Sequence, residues 1–524
     1  MLGDLANGFA TAMTGGTLLA IFIGVVVGTL VGILPGLSSP TAVAVLLPFT
    51  YALEPVAALS MLVAIWYGSS FGGIITSVLL NIPGEGDSVI ATLDGHQMAR
   101  QGRGRVALGM SAVGGFAAGT LGLLGLMWLG PTMADLAKQF GPPEIFALML
   151  MGLSLIMWLS GESLLRGFLS AGLGLLVGAV GTDVMTGVPR LTFGTTNALG
   201  GIQFAAVVVG LFGLGEVMAT LRGPLPAAQE KSRVFSIRGL LPERGQRWPA
   251  TAATGRGSVI GFAVGAIPGA GPSVATFVSY AVEKRASRTP ERFGKGAIEG
   301  VAGPQAASHS ATISGLIPLL SLGLPASATA AVLLGGFLIH GIVPGPRLFA
   351  DHGTVIWGIV AGLYIANVML LILNSVLIPI LIRLLNAVRP VLPAMIGVFV
   401  LVGAFALGNS TFDVAIALAS GLLGYVFRLW AIPLAPFVIA IILGPQAEVA
   451  LRQSLLISDG SPTIFFSSIW AAAMVLIALA IVASPLGRFI RLRRRKAGVD
   501  ALDLQPDPIP LEGPEPAVQK ETPV

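Results

Sequence analysis

The side chains able to do chemistry in this chain are few, and they cluster after helix-breaking pairs. Behind Pro35 stand Gly36, Leu37, Ser38, Ser39 and Thr41, and behind Pro268 stand Gly269, Ala270, Gly271, Pro272 and Ser273. If each Pro-Gly pair interrupts a helix, these residues begin the next one. Free N–H groups and the positive end of the helix dipole then face whatever lies in front. That arrangement receives a carboxylate or another anion without a membrane-buried arginine, which costs roughly 2.5–3.5 kcal/mol or more. Hydroxyls and proline in these places are also ordinary helix-start residues. Ser38, Ser39, Thr41 and Ser273, with Gly36, Gly269 and Gly271, therefore read either as an oxyanion site or as plain caps.

Two further stretches are polar within apolar surroundings. "NIPGEGDS" gathers Asn81, Glu85, Asp87 and Ser88, whose oxygens suit a sodium ion. The bland alternative is a turn at the membrane edge with solvated acids. "ASHSATISG" and "LPAS" supply Ser308, Ser310, Thr312, Ser314, Ser327 and Thr329. These hydroxyls can bind substrate oxygens or bond to carbonyls one turn back in their own helix. His309, in their midst, is either a proton carrier or a packed, hydrogen-bonded core residue. The chain has 0 cysteines, which excludes disulfides, thiolate zinc sites and thiol catalysis. It has no G-x-x-x-x-G-K-[ST] phosphate loop, since "FGKGAIEG" lacks the upstream glycine, and its 4 histidines form no H-E-x-x-H pair. No paired acid and base marks an enzyme, and no cofactor is expected.

The elements that must position these residues are membrane helices. Of 524 residues only 10% are charged and 54% are hydrophobic, with a mean hydropathy of +0.86. Soluble domains carry about 25% charged residues. Continuous apolar runs of membrane-spanning length recur at 106–129, 143–160, 201–221, 354–382 and 463–483. Their continuity excludes an outer-membrane barrel, whose strands alternate. The net charge of +5 sits in a few loops and one basic end, so nucleic acid is not a partner. Residues 1–16 lack Lys and Arg, so no cleavable signal peptide is expected. Basic clusters at 100–105, 222–256, 284–295, 383–389, 428 and 488–496 predict the cytoplasmic side. The base-poor stretches 1–16, 50–55, 130–142, 182–200, 340–353 and 445–461 predict the external side. The N-terminus then lies outside and the C-terminus inside. This parity requires an even number of crossings across each Pro-Gly motif, which fits a re-entrant hairpin. Irregular backbone at that depth is tolerated only inside protein or against a polar cavity.

The hairpin motif occurs twice. "GVVVGTLVGILPG" at 24–36 matches "GSVIGFAVGAIPG" at 257–269, with four glycines and the proline in register at an offset of 233. "YALE" at 51–54 is echoed by "YAVE" at 280–283, and the 72–88 stretch is loosely matched by 314–329, pairing Pro83 with Pro325. Flanking charges are reversed between the copies, which predicts opposite orientation in the membrane. Inverted repeats with Gly/Pro-broken helices are the pattern of secondary transporters, which bind substrate near the midplane.

The duplicated "GILPGLSSPTAVAVLLPFTY" and "GAIPGAGPSVATF", with "YGSSFGGIITSVLLNIPGEGDSV" and "LGLPASATAAVL", resemble the large membrane subunit of tripartite tricarboxylate transporters. The resemblance covers residues from about 15 to about 485. It implies a small membrane subunit and a periplasmic solute-binding protein as partners, in a Gram-negative inner membrane. It also implies import of citrate-like carboxylates driven by a sodium or proton gradient. Arg190, in an external loop, would then draw in the anion or dock the binding protein, or else make a local surface bond. The expectation is an all-α polytopic membrane protein of about 11–12 transmembrane helices. Repeat one spans 1–221, with a hairpin around 17–50, and a cytoplasmic linker spans 222–256. Repeat two spans 257–461, with a hairpin around 257–282. A final helix and basic end occupy 462–496, and a disordered tail 497–524. Its work would be alternating access, with substrate between the two hairpin tips. A gated anion channel built on the same opposed helix ends is the rival reading.

Overall fold

The structure is a computed structural model that describes residues 2–34, 37–159, 163–221, 242–374 and 391–483. Pro35, Gly36, residues 222–241 of the linker, the basic end and the 497–524 tail lie outside these residues. Residues 1–478 form one contact unit, and the second begins at Leu479. The chain is all-α: among the described residues the strands are two-residue pieces, Gly181–Thr182 paired antiparallel with Pro189–Arg190. Among the described residues six helices are long and apolar enough to cross a membrane, and seven shorter apolar ones accompany them.

The first half runs through α1 (Leu2–Ala12), α2 (Gly15–Ile33), α3 (Ser39–Leu46), α4 (Pro55–Leu80), α5 (Ala91–Arg100), α6 (Gly104–Ala137), α7 (Pro142–Leu159) and α8 (Leu164–Gly178). It continues into α9 (Phe204–Thr220), which is widened by a π-helical turn over Val209–Leu214. The second half comprises α10 (Arg244–Gly265), α11 (Gly271–Ala286), α12 (Glu299–Ser314), α13 (Leu316–Leu322), α14 (Ala328–Ile339) and α15 (Gly353–Ile372). It ends with α16 (Leu392–Gly408), α17 (Thr411–Leu429), α18 (Leu434–Ile457) and the apolar α19 (Ile469–Ala483).

The glycine ladders decide how these helices pack. A Cβ on Gly24, Gly28 or Gly32 of α2 would stand 2.5, 2.3 or 2.1 Å from the carbonyl oxygen of Met61, Ile65 or Ser69 on α4. On α10, a Cβ on Gly257, Gly261 or Gly265 would stand 2.1, 2.2 or 2.5 Å from the carbonyl oxygen of Gly303, Ala307 or Ala311 on α12. No side chain fits such a gap, so the two backbones touch directly, as at other small-residue helix crossings in lipid. The partner residues in the two ladders are related by a constant offset of 242. The same offset pairs the helix ends: Asn81 after α4 and Gly323 after α13 both adopt the left-handed conformation, with φ of 59° and 72°. Pro83 and Pro325 follow at matching positions.

In the first half the short helix beyond the break starts against the middle of its partner. Ser39 opens α3, which has only 8 residues, and its hydroxyl meets that of Ser69, the fifteenth residue of the 26-residue α4. At 1.5 Å per residue α4 is about 39 Å long and α3 about 12 Å. The first is ample for a hydrocarbon core of about 30 Å and the second is not.

Loops assigned to one side touch loops of that side. Arg103 donates to Gln246 at 2.6 Å, and Gln101 donates to the Lys295 carbonyl at 2.9 Å. On the other side Arg190 meets Glu448, and Phe140 lies 6.3 Å from Trp470 between ring centroids.

Replacing Gly28 or Gly261 by Leu inserts atoms where a neighbouring carbonyl stands and backbone cannot yield, so the cost exceeds the about 1–3 kcal/mol of ordinary overpacking. We expect both variants to lose monodisperse protein in detergent or to melt well below wild type. Gly172→Leu, at an exposed glycine with nothing within 4 Å, should melt like wild type in the same assay.

Candidate functional site

The site grows from the turn that follows α4. Asn81 ends the helix, Ile82 and Pro83 run outward, and Gly84 folds the chain back. A Cβ on Gly84 would come 2.1 Å from the Gly32 carbonyl oxygen and 2.8 Å from Gly73 Cα, so this loop seals the last rung of the first ladder. The second half repeats the closure with Gly315, whose added Cβ would touch Ala326 Cβ at 3.4 Å and the Gly265 oxygen at 3.5 Å. Sealing places Glu85, Gly86, Asp87 and Ser88 between the two hairpin tips.

Each acid in this loop faces inward. Glu85 Oε1 accepts from the backbone N–H of Ser39 and from its hydroxyl, both at 2.6 Å. Ser39 Oγ also lies 2.6 Å from Ser69 Oγ, which donates to the Trp66 carbonyl at 2.9 Å. Asp87, only 6% exposed, accepts from Ser308 Oγ of α12 through Oδ2, and Ser70 lies beside it. Its Oδ1 has no hydrogen-bond partner. Ser88 Oγ ties the turn together: it accepts from Glu85 N–H at 3.1 Å and from Ser77 Oγ at 3.0 Å, and donates to the Glu85 carbonyl at 2.8 Å. The second tip closes in from the other side, since a Cβ on Gly86 would stand 2.9 Å from Ser273 Oγ. Gly269 and Gly271 take left-handed φ of 84° and 61°, which turns the chain into α11. An added Cβ on Gly271 would meet Ser327 Cβ at 3.4 Å. The tip–loop contact of the first half, Ser39 on Glu85, thus has its counterpart in Gly271 on Ser327.

The sequence-selected residues divide accordingly. Ser39, Ser273, Asp87 and Ser88 converge on this loop, while Gly271 and Ser327 meet at the matching position of the second half. Ser38 bonds Thr41 at 3.0 Å, and Thr41 lies beside Glu216, which is paired with Arg428. Ser327 caps α14 by accepting from Ala330 N–H at 3.2 Å, and Thr312 bonds back to the Ser308 carbonyl at 3.0 Å. Ser310 is fully buried with an unpartnered hydroxyl. Asn81 stands apart, exposed on the helix end, and Gly36 lies outside the described residues. His309 stacks on Phe71 at 3.9 Å and meets Tyr67 edge-on at 5.7 Å, with both ring nitrogens unpartnered. It shares one helix face with Gln305, Ser308 and Thr312 by their spacing.

Other polar contacts pin the frame. Asp94, which the sequence reading passed over, accepts from the N–H groups of Gly294, Gly296 and Ala297 at 2.8–2.9 Å and from Tyr280. Buried Tyr67 donates to Asn367 at 2.9 Å. Nothing in local sequence marks either pair, because partners lie 186–300 positions away. A pocket of about 250 Å³ lies behind the first hairpin between α2, α3 and α16, but Thr41 is its one polar lining residue, so it does not suit an anion. Among the described residues no group of three or more His, Cys, Asp or Glu stands together as a metal site.

Arg190 is 35% exposed and already engaged. It meets Glu448 at 2.7 Å and Asp183 at 3.6 Å, while Arg452 meets Asp183 at 2.8 Å and Glu448 at 2.6 Å. Two cations and two anions thereby fasten the 179–203 loop to α18. The N–H groups of Met185 and Thr186, reinforced by Arg452, hold the Asp183 carboxyl down at about 2.

Fold and site together define a polytopic helical membrane protein with a buried polar centre between two helix breaks. The chain belongs to the tripartite tricarboxylate transporter TctA family, whose sequence model matches residues 18–439. That is a transporter family, so this is a component of a tripartite tricarboxylate transporter and not an enzyme. An uncharacterized 52.8 kDa protein from the TAR-I ttuC' 3' region of Agrobacterium vitis is 38% identical over 501 residues, 95% of this chain and 99% of that protein. An uncharacterized protein from the TAR-II ttuC' 3' region of the same organism is 39% identical over 241 residues, 46% of this chain and 99% of that protein. No solved structure matches the chain.

A carboxyl whose folded pKa is depressed lends stability above its unfolded value and loses it as pH falls through the folded one. The Met185 and Thr186 amides should therefore keep their hydrogen-exchange protection from pH 7 down to about 4. They should lose it, relative to intrinsic rates, between about 4 and 2.

Proposed function

We propose that this chain is the large membrane subunit of a secondary transporter that imports a carboxylate such as citrate. A periplasmic solute-binding protein would hand the substrate over, and a small membrane subunit would complete the complex in a bacterial inner membrane. The convergence of Ser39, Ser273 and the Glu85–Ser88 loop carries this reading. It brings two helix starts, rich in N–H and hydroxyl donors, against one buried polar turn, which is what an anionic substrate and a counter-cation require together. The recurrence of ladder, seal and tip at fixed offsets, with reversed flanking charge, supports two inverted repeats. The even pairing of loops by side supports an external N-terminus and a cytoplasmic basic end.

The arrangement supports transport by alternating access. Substrate carboxylates bind at the helix starts, and a sodium ion or proton joins at Asp87, whose Oδ1 is an open acceptor. The hairpins then shift against α4 and α12. Asp87, Ser70, Ser308 and Ser88 are the cation-side residues, with Asn81 no longer among them. Arg190 organises the external loop, so the binding protein meets a surface that Arg190 shapes.

The test is uptake of labelled citrate by cells carrying all three components. Each of Ser39→Ala and Ser273→Ala removes a donor to a charged group, worth about 1.5–3 kcal/mol, so uptake should fall roughly ten- to hundredfold. Asn81→Ala should transport like wild type. Accumulation against a gradient that collapses with the sodium or proton gradient supports the transporter. Passive flux without the binding protein would instead establish the channel.

A further inference from the structure

The first hairpin tip already holds a carboxylate, and it is the protein's own. Glu85 Oε1 takes the first free N–H of α3 and the Ser39 hydroxyl, each at 2.6 Å. Those are the donors that a substrate carboxylate would use, in the geometry of a charge-assisted bond. Glu85 is anchored through its backbone to Ser88, and its carboxylate bridges the Ser88 N–H and the Ser39 donors. The loop thus offers the first tip a side chain whose place a substrate carboxylate could take. Gly84 is wedged against Gly32 and Gly73, and Asp87 is held by Ser308. Glu85 sits between them, partly accessible, next to an exposed Gly86 that borders Ser273 of the other tip. The second half has no equivalent: Ser327 stands at the matching position, and its hydroxyl is spent on the N–H of Ala330.

We propose that Glu85 is a resident carboxylate latch on the first tip, and that the substrate's carboxylate binds there in exchange for it. The latch is built once, so the two tips are not equivalent: the second receives substrate without a competitor, and the first only when Glu85 swings toward Gly86. This rests on the reading of the tips as the substrate site. A latch that holds the tip most of the time lowers apparent affinity by the fraction of time the tip is open. Removing the latch therefore tightens binding, the opposite of what the loss of a substrate or cation ligand does. Asp87, bonded elsewhere, remains in place as the fixed acid of the loop.

The experiment is equilibrium binding of labelled citrate to the full-length chain in lipid nanodiscs. Wild type, Glu85→Ala and Glu85→Gln are compared, with thermal melting of each to show that it is folded. Citrate should bind about tenfold or more tightly to Glu85→Ala, and Glu85→Gln should also bind more tightly than wild type. Added acetate should restore weak binding in Glu85→Ala by refilling the emptied position, with no such effect in wild type. Unchanged or weaker citrate binding in folded variants overturns the latch while leaving the transport reading intact. Absence of citrate binding in wild type and both variants alike removes the reading of the tips as a citrate site and the latch with it.

Discussion

Direct backbone contact between glycine-laddered helices is the constraint on which the rest of this molecule depends. In hydrocarbon every backbone polar group needs an internal partner, so an interrupted helix survives only when protein encloses the interruption. The Gly24–Gly28–Gly32 face of α2 and the Gly257–Gly261–Gly265 face of α10 bring neighbouring helices close enough to provide that enclosure. The ladders end at the breaks, so direct backbone contact runs right up to the irregular backbone. Gly84 and Gly315 then seal the crossings from above. A bulkier residue at any rung would separate the helices where the site is assembled.

On this symmetric frame the two halves carry different chemistry. The first break presents two carboxylates, Glu85 and Asp87, and the second presents Ser327 and Thr329 at the matching positions. Tyr67 and His309 are likewise matched by offset, and they meet edge to face at the centre of the molecule. The paired scaffolds thus carry unequal side chains, acidic in the first half and hydroxyl-bearing in the second. Both acids of the loop are bonded across an interface, half-buried Glu85 to the first tip and buried Asp87 to α12. Removing a partner would leave a buried group unsatisfied, which costs more than the bond itself contributes.

Charge at the two surfaces serves a different purpose. The Asp183–Arg190–Glu448–Arg452 cluster fastens the 179–203 loop to α18. Asp94 gathers the backbone of the basic loop at 294–297. Surface ion pairs taken singly contribute little, and here they matter as clasps that join segments hundreds of residues apart. The loop between the tips keeps a buried oxygen without a hydrogen-bond partner, Asp87 Oδ1, and Ser310 Oγ on α12 is likewise unpartnered.

The sequence by itself determined the class, the ladders, the breaks and the register of the repeat. Each follows from local rules: apolar length sets spans, glycine spacing sets a helix face, and Pro-Gly ends a helix. Ser39, Ser273 and Asp87 were legible for the same reason, as hydroxyls and an acid next to a break. Only the tertiary structure decided partners. That Glu85 turns inward onto Ser39 rather than out to water, that Asn81 stays outside, and that Arg190 is bound rather than free all depend on contacts between distant segments. The same holds for Asp94 and for Tyr67 with Asn367. A side chain's chemistry is written in its own residue, whereas its occupancy is set by whichever segment packing brings against it.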